Sequence, residues 1–249
     1  MTQAIEAWPP TRRRITRQAA SIGVAVGTYG VSYGALGVAN GLSVLETCAL
    51  SVLAFTGGSQ FAFAGIVGAG GSPWSATATA LMLGFRNLLY GLRIAPLIAA
   101  PGLRHRALAA QLVIDETTAM TLSNEDPAEP RASRLAFWVT GLAVYVCWNT
   151  ATIVGALGAS ALGDPKTFGL DAAVGAAFLA LLWPRVQNRL LAGVALAAAV
   201  VALTLTPFVT PGIPVLVAGL VAVGVGLRSP ERVLATQATR SIQDDESPA

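Results

Sequence analysis

The run Thr56-Gly57-Gly58-Ser59-Gln60-Phe61 decides how this chain folds, because it places a glycine pair and two polar side chains inside an apolar segment. The chain turns at Gly70-Gly71-Ser72-Pro73 and continues as a second apolar run that contains Arg86 and Arg93. A guanidinium in hydrocarbon costs at least about 2.5 kcal/mol, and interrupted helices are tolerated there only beside protein or water. The two segments therefore predict a discontinuous helix and a hydrated pathway through a membrane.

Composition supports the same class of protein. The 249 residues are 54% hydrophobic and 12% charged, whereas an average soluble domain has about 25% charged residues. Because each helical span needs about 20 residues, the chain is expected to be an all-α, polytopic integral membrane protein with about seven to eight hydrophobic segments. The net charge is +3, and the basic residues lie at the ends of the apolar segments. This distribution fits membrane topology signals and not nucleic-acid binding.

The predicted domain organisation is one transmembrane domain, residues 19–227, between a basic cytoplasmic tail at 1–18 and a polar tail at 228–249. A cleaved signal peptide is the alternative for the first segment. The polar stretch 123–134 divides the domain into halves at 19–122 and 135–227.

A short internal similarity indicates a two-fold repeat. Gly34-Ala35-Leu36-Gly37 recurs as Gly155-Ala156-Leu157-Gly158, each copy near the end of an apolar run. Duplicated halves are common in transporters, with the solute site at their interface.

The apolar run from 77 to 96 is predicted to be one helix with three polar side chains on one face. Arg86 and Tyr90 are four residues apart, and Arg86 and Arg93 are seven apart. The alternative is that Arg93 extends to the lipid headgroups and only Arg86 lies deep.

Residues 104–122 are the least ordinary segment, because the adjacent carboxylates Asp115 and Glu116 interrupt a weakly apolar run. Three structures remain open: a true span, a re-entrant segment, and an amphipathic surface helix. In the first two, either carboxylate could pair with Arg86 or Arg93 and titrate during transport.

Two further predictions concern local structure. Ser43 and Glu46 form a Ser-x-x-Glu capping box, so Glu46 is expected to have a structural role. The helix from 137 to 159 contains Trp148 and Asn149, and the amide of Asn149 is expected to bond another helix or the solute. Cys48 and Cys147 lie in apolar runs and predict neither a disulfide nor a metal site.

Several of these motifs resemble one family. Residues 55–61 are similar to the Ala-Gly-Ala-Ser-Gln-Phe motif of the AzlC (YgaZ-like) branched-chain amino acid permeases. Residues 86–91 resemble that family's Arg-His-x-Leu-Tyr-Gly stretch, and 115–117 resemble its Asp-Glu pair. Two positions depart from the pattern. Gly84 stands where the family commonly has Asn or Asp, and Asn87 stands where it commonly has His.

The resemblance implies a bacterial inner-membrane exporter of leucine, isoleucine, valine and methionine, driven by the proton gradient and working with a small AzlD-type subunit. It implies no cofactor, and no nucleotide-binding loop occurs in the sequence. Self-association into a homo-oligomer is left open. An importer, or a transporter of another small solute, is the nearer alternative.

Two more distant classes are a non-transporting membrane scaffold and an intramembrane enzyme. The enzyme would use Ser59 as its nucleophile, but the sequence offers only His105, in a polar segment, as a histidine base. For a transporter, the amides around Gly58 would bind a solute carboxylate, and Gln60, Tyr90 or a carboxylate would bind its ammonium. The predicted pathway residues are Gly57, Gly58, Ser59, Gln60, Phe61, Arg86, Asn87, Tyr90, Asp115, Glu116, Trp148 and Asn149.

Overall fold

All regular secondary structure in the described part of the chain is helical, which confirms the all-α prediction. The computed structural model describes residues 8–161, 179, 186 and 189–228. Three of its helices, α1, α4 and α7, are long and apolar enough to cross a membrane. The helices are α1 (Trp8–Ala39), α2 (Val44–Leu53), α3 (Gly58–Gly68), α4 (Pro73–Ile98), α5 (Gly102–Gln111), α6 (Asp115–Leu122), α7 (Pro130–Ala161), α8 (Arg189–Leu205) and α9 (Ile213–Arg228).

Helices α1 and α7 run parallel in close contact and form the frame of the fold. A Cβ added to Gly27 would lie 2.8 Å from Cys147 Cβ, and one added to Gly30 would lie 2.6 Å from the Trp148 carbonyl oxygen. Further along, Gly155 packs directly on the backbone of Val31. Small residues allow such close approach of helix backbones. The Gly-Ala-Leu-Gly copies of α1 and α7 therefore lie in the seam between the two helices.

Helix α1 begins at Trp8, inside the segment that the sequence assigned to a basic tail. Ile15 is fully buried and packs in a cluster with Met120 and Ala136. Arg14 Nη2 also donates to Asn124 Oδ1 at 2.8 Å. This part of the helix could not be predicted from the sequence, because one apolar residue among several arginines gives no helical period of apolar residues.

Helices α2 and α3 form a helical hairpin, here called hairpin 1. The predicted capping box is confirmed: Ser43 N–H donates to Glu46 Oε2 at 2.7 Å, and Glu46 N–H donates to Ser43 Oγ at 3.2 Å. Thr47, near the start of α2, contacts Gly37, and Gly68, at the end of α3, contacts Asn40. Both ends of the hairpin therefore lie at the carboxyl end of α1.

The tip of hairpin 1, residues 54–57, lies about half way along α1. Tyr145 contacts it by donating to the Val52 carbonyl oxygen at 3.2 Å, and the residues flanking Tyr145 on α7, Ala143 and Cys147, face Gly23 and Gly27. The chain therefore reverses at the glycine break. The discontinuous helix that the sequence predicts is therefore a hairpin, and its two pieces do not follow each other across the membrane as one span.

Helix α4 returns the chain to the amino end of α1. Ser72 caps it, with Pro73 at the first helical position, and it extends beyond the predicted range of 77–96 at both ends. Ile94 and Ile98 pack with Phe137 near the start of α7. Helix α4 thus runs antiparallel to α1 and α7.

Helices α5 and α6 form a second hairpin, here called hairpin 2, which enters from the amino end of α1. Ala109 of α5 packs in the Phe137 cluster, the tip residue Leu112 contacts Gly141, and Met120 of α6 returns to the Ile15 cluster. Of the three alternatives for this segment, the structure shows the re-entrant one.

A long helix followed by a hairpin therefore occurs twice in opposite directions, as residues 8–68 and 73–122. This arrangement brings Arg104 and Arg106, at the start of α5, to the same end as the arginines of early α1 and early α7. Basic residues commonly collect on one side of a membrane. The division into halves at 19–122 and 135–227 stays a prediction, because much of 162–188 lies outside the described residues.

The remaining described helices, α8 and α9, pack against each other as a separate unit. Helix α8 has no buried residue, as expected for the aliphatic run from 190 to 206. The turn before α9 contains Gly212 at a positive φ of 100°. The helix predicted at 168–183 lies almost wholly outside the described residues.

The seam between α1 and α7 makes a direct prediction about stability. Gly155→Ala should lower the thermal unfolding temperature in detergent, because its Cβ would overlap the Val31 carbonyl oxygen and overpacking costs about 1–3 kcal/mol. Gly158→Ala is the matched control, since nothing lies within 4 Å of its added Cβ. Equal unfolding temperatures for the two variants would contradict the seam.

Candidate functional site

The tips of the two hairpins meet at mid-height beside the α1–α7 frame. Gln111 Nε2, at the end of α5, donates to the Val52 carbonyl oxygen at 2.7 Å and lies 3.4 Å from that of Leu53. Tyr145 and Gln60 also bind this helix end, with Gln60 Nε2 donating to the Leu50 carbonyl oxygen at 2.9 Å. The last carbonyls of α2 thus accept hydrogen bonds from three side chains, as a helix end away from water requires.

The amino end of α3 lies beside Arg86. Gly57 adopts a positive φ of 66°, where glycine is favoured, and an added Cβ on Gly58 would lie 4.0 Å from Arg86 Nη2. The hydroxyls of Thr56 and Ser59 bond each other across the turn. The break is shorter than predicted, because Ser59 and Gln60 already belong to the first turn of α3.

An ion pair joins α4 to hairpin 2. Arg86 Nη2 lies 3.2 Å from Asp115 Oδ2, and the two side chains are 33% and 24% exposed. Asp115 occupies the first turn of α6, where the helix dipole favours a carboxylate. Of the pairings that the sequence left open between Asp115 or Glu116 and Arg86 or Arg93, the structure shows that of Asp115 with Arg86. A transport role for Asp115 stays a prediction.

Positive potential collects around this pair. The Arg86 guanidinium lies next to the amino end of α3, and the amino end of α6 begins at Asp115. Each helix amino end carries about half a positive charge. Asp115 is the negative group in these otherwise positive surroundings. The surroundings of Arg86 therefore favour a further anionic group, as helix amino ends do in general.

An aromatic cluster forms the apolar side of the site. Tyr33 stacks on Trp148 with ring centroids 6.1 Å apart, and the edge of Phe61 meets Tyr33 at 5.5 Å. Phe61 and Trp148 are 1% and 4% exposed. Two predicted pathway residues, Phe61 and Trp148, therefore lie in the core next to Gln60.

The other predicted residues are more dispersed. Tyr90 packs against the Ile94 cluster, one turn beyond Arg86, and Glu116 is half-buried beside Asp115. Asn149 Nδ2 donates to the Tyr145 carbonyl oxygen of its own helix at 2.8 Å, so the expected bond from this amide to another helix or solute is not made by Nδ2. Arg93 pairs with Glu125 at 2.6 Å, near the amino end of α1 and away from Asp115.

Several buried polar atoms near these elements have no protein hydrogen-bond partner. They include Gln60 Oε1, Arg86 Nε, Asn87 Oδ1, Thr118 Oγ1, Trp148 Nε1 and Asn149 Oδ1. Since more than about 90% of buried polar groups in proteins are bonded, such a group of atoms indicates hydrogen bonding to water or solute.

Sequence reasoning missed Gln111 and Tyr145. Both side chains bind backbone carbonyls of α2, more than 50 residues away in the chain. The available signal was that each is a polar residue inside an apolar run, a position that requires a hydrogen-bond partner.

The fold and site together define a helical membrane protein in which two opposed hairpins meet at a partly buried ion pair. The family model described as AzlC protein matches residues 21–162, more than half of the chain. The matched segment contains both hairpins and the Arg86–Asp115 pair. The chain therefore belongs to the AzlC family, a family of membrane transporters. Neither a comparison with curated proteins nor one with solved structures gives a match.

The ion pair predicts coupled effects of mutation. In a double-mutant cycle with Arg86→Gln and Asp115→Asn, the effects on the free energy of unfolding should be non-additive by about 0.5–3 kcal/mol. Each single change leaves a partly buried charge without its partner. The matched cycle of Arg93→Gln with Glu125→Gln should give a smaller coupling, because that pair is 56% and 35% exposed. Additivity at Arg86 and Asp115 would contradict a functional contact.

Proposed function

We propose that this protein exports the branched-chain amino acids leucine, isoleucine and valine, and also the unbranched methionine, across the bacterial inner membrane. The single observation that carries the proposal is the Arg86–Asp115 pair at 3.2 Å, held where two half-length hairpins meet beside the α1–α7 frame. Family membership supports transport as the class of function.

The ion pair suits a zwitterion better than a simple anion or cation. An anion that displaced Asp115 from Arg86 would leave a carboxylate without its counter-charge, which is costly at low dielectric. An α-amino acid brings its own ammonium for Asp115 while its carboxylate binds Arg86. The net charge of the site is then unchanged.

The substrate carboxylate has two sources of stabilisation here. Arg86 Nε is buried without a protein partner, and Nη2 is already oriented toward a carboxylate, so the guanidinium can present a two-point fork. The amino end of α3 at Gly58 adds its dipole and free N–H groups. Gly58 lacks a side chain that would separate them.

The aliphatic side chain of the substrate fits the aromatic side of the site. Phe61 and Trp148 pack on each other next to Gln60 and are 1% and 4% exposed, so they would line an apolar pocket only once the site opens. Each substrate methylene buried there would contribute about 0.8 kcal/mol. Leucine should then be preferred over alanine, and charged amino acids should be excluded.

Proton coupling is assigned to Asp115, with Glu116 as the adjacent alternative. Protonation of Asp115 would weaken its hold on Arg86, so substrate binding and proton release would be linked through one ion pair. The basic residues at the amino end of α1 support a cytoplasmic location for that end. A small AzlD-type subunit is proposed as the partner.

Substrate counterflow in proteoliposomes tests the site. Arg86→Gln should reduce labelled-leucine exchange at least about tenfold, because the carboxylate loses its charged partner. Arg106→Gln, an exposed arginine of α5, is the matched control and should retain exchange. The assay should be run with and without the small subunit and with a panel of amino acids. Exchange by Arg86→Gln equal to wild type would exclude Arg86 from the substrate site.

Asp115 is tested in both of its proposed roles. Asp115→Asn should reduce leucine exchange at equal concentrations on both sides, because the substrate ammonium loses its charged partner, and uphill movement driven by a proton gradient should be lost altogether. Asp126→Asn, in the exposed polar loop, controls for removal of one carboxylate. If the Asp115→Asn, Glu116→Gln double variant still concentrates leucine, neither residue carries the proton.

A further inference from the structure

The contact between the two hairpin tips points to a role for Gln111 that the proposed binding residues do not cover. Its amide donates from the end of α5 in hairpin 2 to Val52, and approaches Leu53, at the end of α2 in hairpin 1. These hydrogen bonds, here called the tip contact, join two elements that enter from opposite ends of the frame. Movement of either hairpin away from the other must therefore break the tip contact.

The frame and the hairpins differ in how firmly they are packed. Helices α1 and α7 touch backbone to backbone through glycines, which leaves no free space for one to slide on the other. In α5, by contrast, Ala109 is the buried residue, and residues 102–108 are all exposed. Helix α5 is therefore attached mainly through Ala109 and Gln111 at its carboxyl end, and it is held less firmly than the frame.

The chemistry of the tip contact makes it sensitive to water. Val52 and Leu53 are 42% and 75% exposed, so the tip contact lies at the surface of the chain. Where no water reaches it, loss of Gln111 leaves the Leu53 carbonyl without that donor, and Val52 keeps only Tyr145. Once water enters, it can replace the amide at both carbonyls. The contact is thus stable in the closed arrangement and replaceable in a hydrated one.

The position of Gln111 links this contact to the ion pair. Gln111 and Asp115 flank the tip of hairpin 2 and are four residues apart. If this tip moves away from Val52, Asp115 must therefore move relative to Arg86. Movement of hairpin 2 would open the site toward the amino end of α1. Movement of hairpin 1 would open it toward the carboxyl end.

We propose that Gln111 is a positioning residue that holds the hairpin tips closed over the site, and that this contact breaks and re-forms in each transport cycle. The purpose assigned to the movement rests on the proposed transport function. The first test below does not, since it measures accessibility in the absence of any substrate.

The accessibility test uses a single thiol as reporter in the full-length protein, with Cys48→Ala and Cys147→Ala removing the natural thiols. Ser59→Cys is a small change at a side chain that is 4% exposed at the tip of hairpin 1. Adding Gln111→Leu should speed its modification by a water-soluble maleimide by about tenfold or more, because the open arrangement gains population. Gln111→Asn, one methylene shorter, should act in the same direction.

Two controls separate opening of the tips from general loosening. Gln18→Leu makes the same chemical change on the exposed surface of α1 and should leave the Ser59→Cys rate unchanged. Thr140→Cys reports on a fully buried position of α7 and should stay slow when Gln111 is changed. An unchanged Ser59→Cys rate, or equal acceleration at both reporters, would overturn the proposal.

A second test asks whether the tips must separate for transport. In the same cysteine-free background, Leu53→Cys with Gln111→Cys should be joined by a short, cleavable bifunctional thiol reagent. Joining should abolish leucine exchange, and cleavage of the linker should restore it. Full exchange by the joined protein would overturn the proposal. Absence of leucine exchange in the cysteine-free protein that retains Gln111, together with faster Ser59→Cys labelling in Gln111→Leu, would instead count against the proposed substrate.

Discussion

The structure depends on one constraint: helix ends that lie away from water must have their backbone groups bonded. Hairpin 1 ends its first helix at Leu53, about half way along α1, and side chains of Gln60, Gln111 and Tyr145 bind the carbonyls there. These three donors come from α3, α5 and α7. The requirement of one helix end therefore fixes the positions of three other elements, and the site lies where they meet.

The same constraint separates the fold into two kinds of element. Helices α1 and α7 satisfy their backbone internally and pack through glycines, so they form a fixed frame. The hairpins leave helix ends at mid-height, where side chains, water or solute can bond them. An ion pair at such a place combines full charges with helix dipoles. It can be rearranged by a ligand that carries both charges.

The sequence predicted the local features of the fold well. Ser43 and Glu46 form the expected capping box, Gly57 breaks the helix, and Asp115 pairs with Arg86. Each depends on residue types at short spacing or on charges that must find a partner in an apolar region. The direction of the chain after Gly57 was not predictable in that way. A segment of this hydropathy could form either a broken span or a hairpin. Long-range contacts decide between the two, such as that of Gly68, at the end of α3, with Asn40.

The site was predictable in part for the same reason. Gly58, Ser59 and Arg86 were found because they are costly in lipid, and they lie together. Gln111 and Tyr145 were missed because their partners are backbone carbonyls, which every residue has and no motif records. Asn149 was expected to bond another helix or the solute, but its Nδ2 donates to the Tyr145 carbonyl oxygen of its own helix. Residue type alone does not specify which of these partners an amide takes.

The most direct test of the hairpin architecture is the side of the membrane from which four exposed positions can be labelled. Single cysteines at Ser43, Ser72, Arg104 and Asp126 in oriented vesicles would be treated with an impermeant thiol reagent. The structure predicts that positions 43 and 72 react from one side and that positions 104 and 126 react from the other. If 43 and 72 react from opposite sides, the segment between them crosses the membrane and the opposed-hairpin account is wrong.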